Sequence, residues 1–148
     1  MKRALITCLV LTIFAGCKQR NQEVAPVLAN LIGTWQLVQP DSSYAVTLEF
    51  AYDTKNPPID ITPFLASGKS AINDYTARIF ATIDGTMQVS ELGTTKLGGT
   101  PEAIQFEQNY YEKLNSIVRF ESPTQTTLNL YHGGTTPGML VYKKMTQP

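Results

Sequence analysis

Hydrophobic positions change their period along this chain, and each change marks a new element. From Tyr44 to Tyr52 they alternate, with Tyr44, Val46, Leu48, Phe50 and Tyr52 on one face and Ala45, Thr47, Glu49 and Ala51 on the other; period two predicts a half-buried strand. Leu31 to Val38 precedes it as a first strand, with Trp35 as its core anchor. Asp53 to Gly68 carries Pro57, Pro58 and Pro63 and reads as a long connection with a short edge strand at Ile59 to Thr62. Tyr75, Ala77, Ile79, Ala81 and Ile83 mark another strand, which turns at Asp84-Gly85, a strong hairpin signal, into Met87 to Leu92.

The period then lengthens to that of a helix. Thr100-Pro101-Glu102 supplies a hydroxyl N-cap, a proline at the first helical position and an acid in the positively polarised first turn. Ala103, Phe106, Tyr110, Leu114 and Ile117 form the apolar stripe that follows. Val118 to Glu121, Thr127 to Tyr131 and Met139 to Lys144 predict three closing strands, separated by turns at Pro123, at Gly133-Gly134 and at Pro137-Gly138. The pattern predicts a mostly β chain with one helix (α+β): an antiparallel barrel or curved sheet of about seven or eight strands, with the helix before the last three. Trp35, Val46, Leu48, Phe50, Phe106, Tyr110, Leu114, Leu128 and Leu130 are its expected core.

Ahead of this domain, Met1-Lys2-Arg3 leads into an apolar run from Ala4 to Phe14 and then Ala15-Gly16-Cys17. A basic head, an apolar segment too short to span a bilayer and small residues before a cysteine describe a cleaved export signal. Phe14-Ala15-Gly16-Cys17 resembles the lipobox of bacterial lipoproteins, which implies cleavage after residue 16, lipidation at Cys17 and membrane attachment through that lipid. Lys18 to Asn30 is then a tether and residues 31–148 are the domain. Lys18 stands where many lipoproteins retained in the inner membrane have Asp, which places the expected site in the cell envelope, at the inner leaflet of the outer membrane facing the periplasm.

Charge and cysteine content narrow the function. Lys2 and Arg3 leave with the signal, so the mature chain carries ten basic against twelve acidic residues. That is no footprint for nucleic acid, nor for electrostatic attachment to an anionic membrane. Cys8 is lost and Cys17 is consumed, which leaves the domain without disulfide or thiolate. His132, beside Gly133-Gly134, reads as an exposed turn residue; it has no nucleophile elbow to serve and no ligand set for a metal. Glu102, Glu107 and Glu112 read as a solvated helix face, not a glycosidase pair. Gly93 to Gly99 lacks the Gly-Lys-Ser/Thr ending of a phosphate loop. No cofactor is expected, and the chain does not read as an enzyme.

The order of motifs resembles the META domain, the family of a heat-shock lipoprotein. The matching residues are Gly33-Thr34-Trp35; Gly68 with Asn73-Asp74-Tyr75; Gly93-Thr94-Thr95-Lys96; Glu107, Tyr110, Tyr111 and Leu114; Leu128-Asn129-Leu130; and Leu140-Val141-Tyr142. Many members have cysteines where this chain has Ile72 and Gly99, so any link between those loops is absent here. The resemblance implies a non-catalytic envelope domain with a binding or scaffolding role linked to stress and an envelope protein as partner. Thr94, Thr95 and Lys96 carry two readings: threonines that satisfy backbone groups in a tight crossover, or, with Asn73 and Tyr75, one polar surface for a partner. Gly-x-Trp also opens lipocalin-like barrels, so the alternative is a carrier of a small apolar ligand.

Overall fold

A computed structural model describes residues 24–56 and 60–146. The signal segment, Cys17 and the start of the tether lie outside the described residues, as does Ile59 of the expected edge strand. The chain runs α1 (Pro26–Ala29), β1 (Gly33–Gln39), β2 (Thr47–Tyr52), β3 (Thr62–Lys69), β4 (Asp74–Ala81), β5 (Met87–Thr94), α2 (Pro101–Asn115), β6 (Ile117–Thr124), β7 (Thr127–His132) and β8 (Gly138–Lys144). All eight strands join one antiparallel sheet in the order β5-β4-β3-β2-β1-β8-β7-β6. The sheet curls until its two edges touch: Thr86 bridges Arg119, and the Phe120 amide donates to the Gly85 carbonyl at 2.8 Å.

Alternation decides what the curl encloses. Trp35, Leu37, Leu48, Phe50, Phe64, Ile79, Met87, Phe120, Leu128, Leu130 and Tyr142 point inward and are buried. Helix α2 lies over this interior with Ala103, Glu107, Tyr110 and Leu114 buried, and the Thr100 hydroxyl caps it by accepting from the Ala103 amide at 3.3 Å. Because neighbouring strands are antiparallel, α1, the connections after β2 and β4, the β6–β7 turn and the residues after β8 share one end. The Asn73 loop and the Thr95–Thr100 crossover lie at the other.

Several expectations are corrected. The long connection contains a full strand, β3, which includes Pro63. That proline is tolerated because its carbonyl accepts from Asp53 where β2 ends, so its missing N–H forfeits only the last bond of the ladder. His132 is not an exposed turn residue: β7 extends to it, and the same alternation that buries Leu128 and Leu130 buries His132. Phe106 is half-buried, held 4.7 Å from the Tyr44 ring. Ile83 lies past the end of β4 and is exposed. The tether ends before Asn30: Pro26–Ala29 is helical, Leu28 and Leu31 are buried, and the Trp35 indole donates to the Leu31 carbonyl at 2.8 Å.

Candidate functional site

The strongest polar constellation gathers where the Asn73 loop, the crossover after β5 and helix α2 meet. Asn73 is buried, and its amide spends all its bonding capacity inside the protein. Its Oδ1 accepts from the Thr95 hydroxyl at 2.8 Å and the Leu97 amide at 2.7 Å; its Nδ2 donates to Glu107 Oε2 at 2.7 Å and the Leu97 carbonyl at 3.4 Å. Thr95 completes the join by pairing backbone with Asp74 at 3.0 Å and accepting from the Asp74 amide on its hydroxyl.

Glu107 is the residue that sequence reasoning missed. It is buried, not part of a solvated face. Oε1 accepts from the Ile72 amide at 2.9 Å, the Asn73 amide at 2.6 Å and the Ser70 hydroxyl. Burial raises the carboxyl's pKa, but the donors from Ser70, Asn73 and Ile72 outweigh it and hold the group below its ordinary value. The signal was present: Glu107 falls four residues after Ala103 and three before Tyr110, on the inward stripe.

Beneath this clamp runs a chain of phenols. The Tyr75 hydroxyl donates to the Thr47 carbonyl at 2.7 Å, so it accepts from Tyr110 at 2.8 Å, and Tyr110 in turn accepts from Tyr142 at 3.1 Å. Burial pushes the pKa of all three upward. Gly68 is required here: a β-carbon on it would stand 2.0 Å from the Thr47 carbonyl oxygen and 2.7 Å from the Tyr75 hydroxyl. Tyr111 donates to Ser70 at 2.8 Å, since the Ser70 proton goes to Glu107.

The five candidate residues therefore divide. Asn73 and Thr95 are in contact; Tyr75 packs inward with its hydroxyl satisfied; Thr94 and Lys96 are exposed. Thr94 and Thr95 line a shallow open depression with Asp74, Thr76 and Gly93. The inward side chains form one buried cluster. A cleft of about 100 Å³ beside α2 is lined by Leu37, Phe106, Tyr110 and Leu140. The larger depressions, of about 360, 330 and 290 Å³, are open hollows lined largely by exposed residues such as Glu49, Leu65 and Glu91, Thr94 and Thr95, and Thr135 and Thr136. Among the described residues there is no group of three or more His, Cys, Asp or Glu placed to hold a metal, and no helix is long and apolar enough to cross a membrane. A second ionic cluster joins buried Asp53 to Arg78 at 2.7 Å, with Glu91 at 3.5 Å from Arg78.

No protein-family model matches the chain, and no curated protein matches it. Among solved structures it is similar to the NMR structure of a protein from Burkholderia xenovorans, with a TM-score of 0.58 and 20% identity over 87% of this chain and 97% of that one. At that identity the likeness is one of fold.

Proposed function

We propose that this chain is a lipid-anchored, non-catalytic protein of the bacterial cell envelope, built on a META-like barrel. Its role is to bind or scaffold an envelope partner, in a setting of envelope stress. The observation that carries the reading is convergence. Asn73, Thr95 and Glu107, drawn from three separate motifs of the resemblance, meet in one hydrogen-bonded cluster, as residues that define a fold should. Ile72 supports it further: its side chain lies against Gly99, so that apolar packing joins the two loops where many members have cysteines.

The Asn73 side chain and the Thr95 hydroxyl are engaged in holding the fold, while Thr94, Thr95 and Lys96 are the exposed part of the motif. They lie at the end opposite α1, where the chain enters from Cys17, and therefore face away from the membrane. The filled interior supports a binding module over a lipocalin-like carrier, which needs room for its ligand.

Lys96→Ala tests the reading. Capture of an envelope protein by the acylated chain, crosslinked in intact cells, is expected to fall while thermal stability stays unchanged. Unchanged capture sinks the partner surface. Recovery of a stoichiometric apolar molecule from the native protein favours the carrier.

A further inference from the structure

Of the exposed large apolar side chains among the described residues, five lie at the end where α1 stands: Val27 on α1, Tyr52 at the end of β2, Ile61 before β3, Ile83 after β4 and Met145 after β8; Leu97, Val118 and Met139 lie at the other end. Strand register places them together. Tyr52 pairs with Phe64 and Thr62 with Ala81, which sets Ile61 beside the β4–β5 turn; the Met145 amide donates to the Thr34 carbonyl at the start of β1. Ile83 is 70% exposed and Ile61 52%, more than a turn residue needs for folding. Single exposed apolar residues are ordinary; what distinguishes this set is that it surrounds the point where the chain enters from Cys17.

The same end receives the chain from Cys17. Val24 packs against the core, and it lies seven chain steps, with six residues between, from the cysteine. Even fully extended at ~3.6 Å per residue, that length spans no more than about 25 Å. A lipid on Cys17 therefore keeps this end within about 25 Å of the bilayer and favours it over the opposite end. We propose that the rim of Val27, Tyr52, Ile61, Ile83 and Met145 rests in the interfacial zone of the membrane that carries the anchor, fixing the domain upright with Lys96 outward. The proposal rests on the lipoprotein reading above.

The physical terms agree. A short tether raises the effective concentration of the surface at the bilayer to the millimolar range, so weak apolar contacts suffice. The rim carries Lys55, Lys143 and Lys144 against Asp60 and Asp84, and Lys143 donates to the Thr127 hydroxyl at 2.7 Å. Lys144 is already engaged by the Asn30 carbonyl at 2.9 Å and lies over the Trp35 ring. An excess of one positive charge, with Lys143 and Lys144 both engaged within the protein, is far short of a polybasic patch, so the contact is chiefly apolar and depends little on anionic lipid.

The test uses the processed, acylated full chain in phosphatidylcholine vesicles, with an environment-sensitive fluorophore on one introduced cysteine. Ile83→Cys and Ile61→Cys labels are expected to shift to the blue and to be quenched by brominated acyl chains, with or without phosphatidylglycerol; a Lys96→Cys label is expected to do neither. A Met145→Cys label should lose its shift in the Ile61→Asp/Ile83→Asp background, which removes the rim without touching the core. If mass analysis shows acylated Cys17 and all labels stay aqueous, docking is overturned while the lipoprotein reading stands. If Cys17 carries no acyl group, that reading fails and docking with it. A shift that vanishes when the protein is diluted within the vesicles assigns the rim to a second copy and overturns membrane docking.

Discussion

Asn73 Nδ2 donates to Glu107 Oε2 at 2.7 Å while the Asn73 amide donates to Oε1 of the same carboxylate at 2.6 Å. One loop residue thus grips both oxygens of a helix acid and ties α2 to the end of the curled sheet. A carboxylate is suited to this because it accepts several bonds at once, and bonds to a charged acceptor are the strong ones.

Removing that acceptor is expected to cost more than an ordinary side chain. Glu107→Ala strands the buried Asn73 amide and the part-buried Ile72 amide and leaves the Asn73 side-chain donor only its 3.4 Å bond to the Leu97 carbonyl, each lost partner worth ~1–3 kcal/mol where the donor is buried. A loss of at least about 3 kcal/mol should appear in denaturant unfolding, a large share of the ~5–15 kcal/mol a domain has. A midpoint within error of the parent would show that water replaces the carboxylate freely.

Acid should reproduce the loss reversibly. The folded-state pKa of Glu107 lies below its ordinary 4.5. Its contribution is therefore complete above that value and disappears as pH falls through the folded-state pKa. Asp53, lowered by Asn56 and Arg78, acts in the same direction, so the informative quantity is the difference between proteins. Glu107→Gln is expected to show a shallower fall in melting temperature below pH ~4.5. Parallel curves would remove Glu107 as a source of acid sensitivity.

The phenol chain predicts the opposite end of the pH scale. Tyr75, Tyr110 and Tyr142 have raised pKa values, so the unfolded chain loses their protons first. Stability is full below pH ~10 and falls above it. Absorbance titration of the seven tyrosines should show these three ionising only together with unfolding, as judged by circular dichroism. Smooth ionisation of all seven with the fold intact would mean that the core admits hydroxide.

Much of this architecture is legible in the chain because apolar alternation and helix capping are local. Val46, Leu48 and Phe50 face inward as their period requires, and α2 starts at Thr100-Pro101. β3 was hidden because Pro63 reads as a breaker, and only the ladder end at Asp53 makes it harmless. His132 and Glu107 were hidden for a different reason. Each is a polar residue on an inward stripe, and side-chain type suggested water while position dictated burial. Of the candidate site, the meeting of the Asn73 and Thr95 loops follows from antiparallel pairing across the Asp84-Gly85 turn. The acid that closes it comes from a helix more than thirty residues away, and no local pattern reports that contact.

Ile72 and Gly99 offer the most direct check on how those loops sit. A β-carbon placed on Gly99 falls 2.8 Å from Ile72 Cγ1 and 3.7 Å from Cγ2. The two β-carbons would therefore stand about 4 Å apart, within the ~3.5–4.5 Å of a disulfide. Gly99 is not among the glycines with positive φ, so cysteine meets no backbone strain there, and replacing Ile72 removes the three atoms that stand nearest to the added β-carbon. Under the proposed lipoprotein reading Cys8 leaves with the signal and Cys17 carries lipid, so no other thiol would compete. Ile72→Cys/Gly99→Cys is expected to oxidise quantitatively, seen as the mass loss of two hydrogens. The closed loop should raise stability of the oxidised over the reduced form by ~3.6 kcal/mol, the chain-entropy value for a loop of this size. Comparing two redox states of one variant cancels the lost packing of Ile72. A pair that stays reduced under mild oxidant, or a bridge that lowers the melting temperature, would place the loops farther apart than the clamp at Asn73 and Glu107 requires.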